Sequence, residues 1–213
     1  MDVQLRVRRE SRQDLPVLIV RFPAPMRVIA SAPHGGGLGV RRWVLNAQVP
    51  TNYGRRDPDH HLGKLGVSLG LPGRGVGMLT AADVRSARQH ADDGVQVLAT
   101  VGLGHPIRAA APAGDRDVRF VNQVVAGTIN VVVVLPDRLS DAALVNTVAT
   151  ATEAKAQALH DLGFDATGTA TDAVCVACPD EGHPQAFGGP RSVWGSRLAR
   201  AVYAAILGGH VPG

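Results

Sequence analysis

Small residues surround isolated polar ones at several points of the 213-residue chain: His34 in APHGGG, Asn46 in WVLNAQVP, Thr80 in GVGMLTAADV, His105 in GLGHP, Thr128 and Asn130 in AGTIN, and Asp172 in TGTATD. Glycine lets a bulky ligand or a backbone N–H come close, and small hydroxyl or amide side chains then hydrogen-bond at little steric cost. The chemistry this suits is recognition of a polar ligand rich in amides. Gly35, Gly36, Gly37, Gly77, Thr80 and Asn130 are the candidate binding residues. Thr128 follows Gly127 and opens a run of valines, a placement that fixes its hydroxyl at a strand start. On the residues alone, a structural threonine is the favoured reading.

Other chemistries fit less well. APHGGGLG and GRGVGM are glycine-rich, but neither has the spacing of a dinucleotide fingerprint or of a Walker lysine loop. The Gly-x-Ser-x-Gly spacing at GVSLG falls at the end of the run read as a short helix rather than at a strand-to-helix turn, which argues against an α/β-hydrolase serine. Asp57, Asp59, His60 and His61 have metal-ligand side chains, yet a helix starting at Pro58 fans Asp59, His60 and His61 over different faces. The two cysteines, Cys175 and Cys178, lie in the strand-like DAVCVACP, where residues three apart face opposite sides. Buried, reduced thiols are expected, and no metal site is assigned.

Composition narrows the class further. A hydrophobic content of 45% over 213 residues suits one well-buried domain spanning 1–213. The formal charge of +4 comes from arginine pairs scattered along the chain rather than from a contiguous basic stripe, which argues against a nucleic-acid partner. Charged residues fill the N-terminus and no apolar run approaches membrane length, so neither secretion nor membrane insertion is expected. A cytoplasmic location follows as the expectation.

The elements that must position these residues are legible in part. LPVLIVRF and RVIAS read as two strands joined by a turn at Pro23, Ala24 and Pro25. Pro58–Leu69 reads as a short helix capped by Asp57. WVLNAQVP, GRGVGMLTAADV and VQVLATVGLGHP read as strands and loops, and 113–117 as an exposed loop. GTINVVVVLP, with four consecutive valines, reads as a central strand buried on both faces. Helical spacing runs from Asp141 to Leu162 after the candidate cap Ser140, and again from Pro190 to Leu207. An α+β domain of layered sheet and helices results.

Several of these runs, in this order, resemble the adenosylcobinamide amidohydrolase family: WVLNAQVP, LGLPGRGVGMLTAADV, ATVGLGHP, AGTINVVVVLP, RLSDAALVNTVATATEAKAQAL, ATGTATDAVCVACP and GGPRSVWGSRLARAVYAA. The likeness covers Ala32 to Leu207, and the first thirty residues add little to it. It implies a hydrolase that removes aminopropanol from adenosylcobinamide and leaves adenosylcobyric acid. The implied partner is a small-molecule corrinoid, and cobalt enters only as part of that substrate, so no cofactor is expected. A corrin carries a rim of amides, which the candidate binding residues suit, and Trp43 or Trp194 would pack on the macrocycle. The alternative is a corrinoid carrier without hydrolase activity. A homo-oligomer is left open.

The layout is also similar to that of ornithine acetyltransferases and β-aminopeptidases, whose αββα domain carries a nucleophile after a glycine at a strand start. That resemblance implies Thr128 as nucleophile, Asn46 as an oxyanion or positioning group, and Asp172 as a support. In those relatives chain cleavage frees the nucleophile's own amine as base. An uncleaved Gly127-Thr128 would need another base, and His34 and His105 are the candidates.

Overall fold

A computed structural model describes residues 1–10, 12–112 and 127–208. The loop expected at 113–117 lies outside the described residues. The chain forms an eight-stranded mixed sheet with helices on its outer faces. The strands are β1 (Asp2–Glu10), β2 (Gln13–Ala30), β3 (Gly37–Gln48), β4 (Val76–Thr80), β5 (Arg88–Asp92), β6 (Val95–Val101), β7 (Ile129–Val134) and β8 (Ala173–Pro179). The helices are α1 (Pro58–Ser68), α2 (Asp141–Asp161) and α3 (Val193–Leu207). The strand order is β4-β3-β2-β8-β7-β6-β5, with β1 paired to β2. The β3/β4 and β7/β8 pairs are parallel, and the remaining pairs antiparallel.

Strand alternation divides the apolar residues into three cores, and these define the layers. Val17, Ile19, Trp43, Leu45 and Ala47 on one face of β2 and β3 meet Leu62 of α1. The opposite face of β2, β3 and β4, carrying Leu18, Val20, Val44 and Met78, meets Leu98 of β6, Val132 of β7 and Cys175 of β8. Strands far apart in the sheet order therefore face one another, and the sheet curls over on itself. The outer face of β6, β7 and β8 (Val97, Val131, Val133, Val176) packs on Leu144, Leu159, Leu198 and Val202 of α2 and α3. Helix, sheet, sheet and helix pair is the resulting order.

β7 sits between β6 and β8, as its valine run predicts, with Val132 in the middle core and Val131 and Val133 against the helices. Cys175 and Cys178 are free, buried and in different cores. Burial pushes the Cys175 thiol up to about 12. The structure corrects three expectations. Pro23, Ala24 and Pro25 do not turn the chain but lie within β2, because its pairing with β3 is interrupted between Arg21 and Met26 and pairing with β8 begins only at Met26. No ladder hydrogen bond is demanded of the two prolines there. Asp57 occupies the N-cap position of α1 as expected, but its side chain makes no capping bond, since the carboxylate is held by Arg55 Nε (3.0 Å) and Nη2 (2.9 Å). α3 starts at Val193 rather than Pro190, because Ser192 accepts a bond from Gly195 N.

Candidate active site

The middle core is apolar until it reaches the C-terminal ends of β3, β4 and β6, where polar side chains replace it. Asn46 Nδ2 donates to Thr100 Oγ1 (2.9 Å), which links β3 to the facing strand β6. Asn130 Nδ2 donates to Asn46 Oδ1 and to Leu79 O, both at 2.9 Å. Thr80 Oγ1 accepts from Ala82 N (3.0 Å). All four polar residues are buried. Buried polar groups normally find partners, yet Asn130 Oδ1 has none among the described residues.

Two residues before Asn130, immediately ahead of β7, is Thr128, itself buried. Gly127 precedes it at φ +140°, a conformation that favours glycine, and a Cβ there would lie 2.9 Å from Gly104 N and 3.1 Å from His105 N. The Gly102–His105 loop thus lies against the Gly127-Thr128 peptide, and Gly102 N donates to Thr128 O (3.1 Å). Thr128 Oγ1 shares a 2.8 Å hydrogen bond with Thr171 Oγ1. Asp172, the next residue, accepts from Ile129 N (2.9 Å) and Thr169 N (3.0 Å), and takes the Lys155 ammonium of α2 as its ion-pair partner. Asn46, Thr80, Thr128, Asn130 and Asp172 therefore lie at one end of the facing sheets, with the His105 backbone beside them.

The other sequence candidates lie elsewhere. His34 bridges to Gly77 along the free edge of β4, and its ring stacks on Trp43 at 6.3 Å on the α1 side of the sheet. Gly35 and Gly36 wrap the Arg41 guanidinium, which donates to Gly35 O at 2.9 Å and Gly36 O at 3.4 Å, and Gly37 follows at the start of β3. Trp43 is 3% exposed, packs where Gly66 and Gly75 leave room, and donates from its indole to Pro72 O (3.1 Å). A cleft of about 480 Å³ is lined by His34, Gly35, Arg41, Trp43 and Arg74. Trp194 is on α3 beside Gly94 and Asp137, at the opposite end of β6 and β7 from Thr128, with Arg197 4.7 Å over its ring. Sequence reasoning missed Thr100, Lys155 and Thr171. A lysine inside a helix of mixed character and threonines in a strand or loop give no distinguishing signal.

His61, given no functional role from the sequence, is buried between Tyr53 and Glu10: Tyr53 Oη lies 2.8 Å from Nδ1 and Glu10 Oε1 2.9 Å from Nε2. Arg8 Nε holds the same carboxylate at 3.1 Å. Burial pulls the His61 pKa down, and pushes Tyr53 up to about 12. Among the described residues no three His, Cys, Asp or Glu side chains are placed to hold a metal, and no helix is long and apolar enough to cross a membrane.

Fold and site together define an α+β protein with hydroxyls and amides at one end of two facing sheets and a buried ion pair on the α2 side of that end. The model of the adenosylcobinamide amidohydrolase family matches residues 2–210. A protein of that name from Methanosarcina mazei is 30% identical over 183 residues, covering 82% of this chain and 85% of its own length. Another from Halobacterium salinarum is 34% identical over 130 residues, 61% of this chain and 55% of its own length. The chain belongs to the adenosylcobinamide amidohydrolase family. The match takes in the β1–β2 hairpin, so the family region extends beyond the Ala32–Leu207 stretch and includes the first thirty residues.

Proposed function

We propose that this chain hydrolyses the amide joining aminopropanol to the corrinoid of adenosylcobinamide, at the polar end of the facing sheets, with Thr128 as nucleophile. The observation that carries the reading is the convergence there of Asn46, Thr80, Thr128, Asn130 and Asp172, drawn from three strands, the residue before β7 and the loop before β8. The corrinoid is the ligand, cobalt arrives within it, and no resident cofactor takes part. The reaction belongs to the cytoplasm, where corrinoid intermediates are remodelled.

Thr128 Oγ attacks the side-chain carbonyl carbon, and its proton passes to a base. The C–N bond then breaks, and the base returns the proton to the departing aminopropanol nitrogen. Water next attacks the resulting ester, releases the corrinoid carboxylate and restores the hydroxyl. His105 is the base in an intact chain, because its backbone borders Gly127, whereas His34 is stacked on Trp43 beside α1. Backbone N–H groups of Gly104 and His105, which border Gly127, stabilise the oxyanion, each well-placed donor being worth about 3 kcal/mol. Asn130 Oδ1, an acceptor without a partner among the described residues, receives the scissile N–H.

The test incubates purified protein with adenosylcobinamide and measures free aminopropanol. Thr128→Ala is expected to release none while keeping its melting temperature and corrinoid binding. Turnover by that variant removes Thr128 as nucleophile. Corrinoid binding without release by the wild-type protein would instead make the chain a carrier. The left-handed φ of Gly127 favours one variation, cleavage before Thr128, in which the freed amine is the base. Two fragments in denaturing mass spectrometry would establish it.

A further inference from the structure

A buried ammonium needs a reason, because a charge removed from water is costly unless paired and hydrogen-bonded. Lys155 projects from α2 toward the sheet with its side chain 7% exposed, and its partner Asp172 is 10% exposed. Gly168 closes over the pair: a Cβ there would lie 2.4 Å from Asp172 Oδ2 and 2.5 Å from Lys155 Nζ. The turn is thus shaped around the ion pair.

Two structures hang on it. Asp172 accepts from Ile129 N (2.9 Å), the residue after Thr128, and the neighbouring Thr171 hydroxyl meets the Thr128 hydroxyl at 2.8 Å. Gly168 O accepts from Ile107 N (2.8 Å), Thr167 N donates to Ile107 O (2.9 Å), and Ala109 N donates to Thr167 Oγ1 (2.9 Å). The segment following His105 is therefore zipped to the turn that encloses the pair. Thr171 is an exposed residue and Thr128 a buried one, so their shared bond connects the inner hydroxyl to the surface.

We infer that Lys155 and Thr171 are positioning residues for the hydrolysis: Lys155 anchors Asp172, and Thr171 accepts a hydrogen bond from the Thr128 hydroxyl and so orients a Thr128 lone pair at the substrate carbonyl, the proton itself leaving to the base at attack. This rests on Thr128 being the nucleophile. The same anchor fixes the distance between Thr128 and the His105 loop. A misplacement of about 1 Å costs on the order of 100-fold in rate, so the effect falls on kcat rather than on KM.

The experiment measures aminopropanol release from adenosylcobinamide by wild type, Thr171→Val, Thr171→Ser, Lys155→Arg, the neutral pair K155M/D172N, and Thr128→Ala, with a melting curve for each. Thr171→Val is expected to lower kcat on the order of 100-fold with KM unchanged, and Thr171→Ser to recover most of it. The neutral pair avoids an unpaired buried charge, and is expected to melt cooperatively yet lose kcat similarly. Lys155→Arg keeps the charge, displaces the carboxylate and lowers kcat less. It carries the Lys155 test if the neutral pair does not fold. Wild-type kcat in Thr171→Val and in the folded Lys155 variants, with Thr128→Ala inactive, overturns this inference alone. An active Thr128→Ala overturns the nucleophile reading instead.

Discussion

Asn130 has two jobs that its neighbours cannot take over. Its Nδ2 joins Asn46 to Leu79 O across the facing sheets, while its Oδ1 is buried without a partner among the described residues. Asn130→Ala would strand two acceptors, a loss of about 1 to 3 kcal/mol for each that stays buried and unpaired. The expected outcome is a lower denaturant midpoint together with weaker corrinoid binding; a variant that binds as well as wild type would reassign Oδ1. The two histidines separate by location. His105→Ala is expected to reduce turnover by roughly 100-fold or more, in the range of general-base loss, whereas His34→Ala, which removes a ring stacked on Trp43, leaves it intact. Equal losses in the aminopropanol assay would refute that assignment. In the sequence, Asn46, Thr80, Thr128, Asn130 and Asp172 stood out because small neighbours isolate them. Lys155 and Thr171 did not, since their roles arise only when α2 and the loop before β8 meet β7. Glycine-rich context also drew in Gly35 and Gly36, whose smallness serves the close approach of Gly75 O and Ala32 O.

At the scale of elements, legibility followed periodicity and caps. α2 was readable from its apolar spacing and from Ser140, whose side chain accepts from Ala143 N at 3.2 Å. β7 was readable because only a strand covered on both faces tolerates four consecutive valines. β1 and β5 were not: one is paired to β2 and the other to β6 alone, and both carry charged, largely exposed residues. Edge strands of this kind lack the alternation that burial imposes. The caps themselves are testable. Ser192→Ala removes the acceptor for Gly195 N and should cost about 1 kcal/mol, read as a fall in melting temperature. Gly195→Ala should cost considerably more, because the added carbon would lie 2.0 Å from Gly189 O. If both variants melt alike, the start of α3 is not packed against the 188–189 turn as described.

The whole molecule is closed at its N-terminal side by a contact that no single element owns. Arg8 and Glu10 of β1, Tyr53 of the β3–α1 connection and His61 of α1 form one buried chain, in which Arg8 also donates to Leu15 O, Pro16 O and Gln48 O. Burial is the largest influence on His61 and lowers its pKa; Arg55 and Arg8 act in the same direction, and Glu10 opposes them. The folded protein therefore resists protonation at a site that the unfolded chain protonates near its ordinary value of 6.5. The unfolded state binds more protons below that value, so the stability contributed by neutral His61 is fully present above it. It declines as pH falls toward the folded pKa, at up to about 1.4 kcal/mol per pH unit. Arg-paired Asp57, Asp92 and Asp165, held below the usual carboxylate range, lose their contributions only in stronger acid. Melting temperature measured from pH 8 to pH 5 should thus fall in the lower half of that range, and His61→Gln, though less stable at pH 8, should flatten the decline. An unchanged slope in the variant would mean that the decline is set by a titrating group other than this histidine.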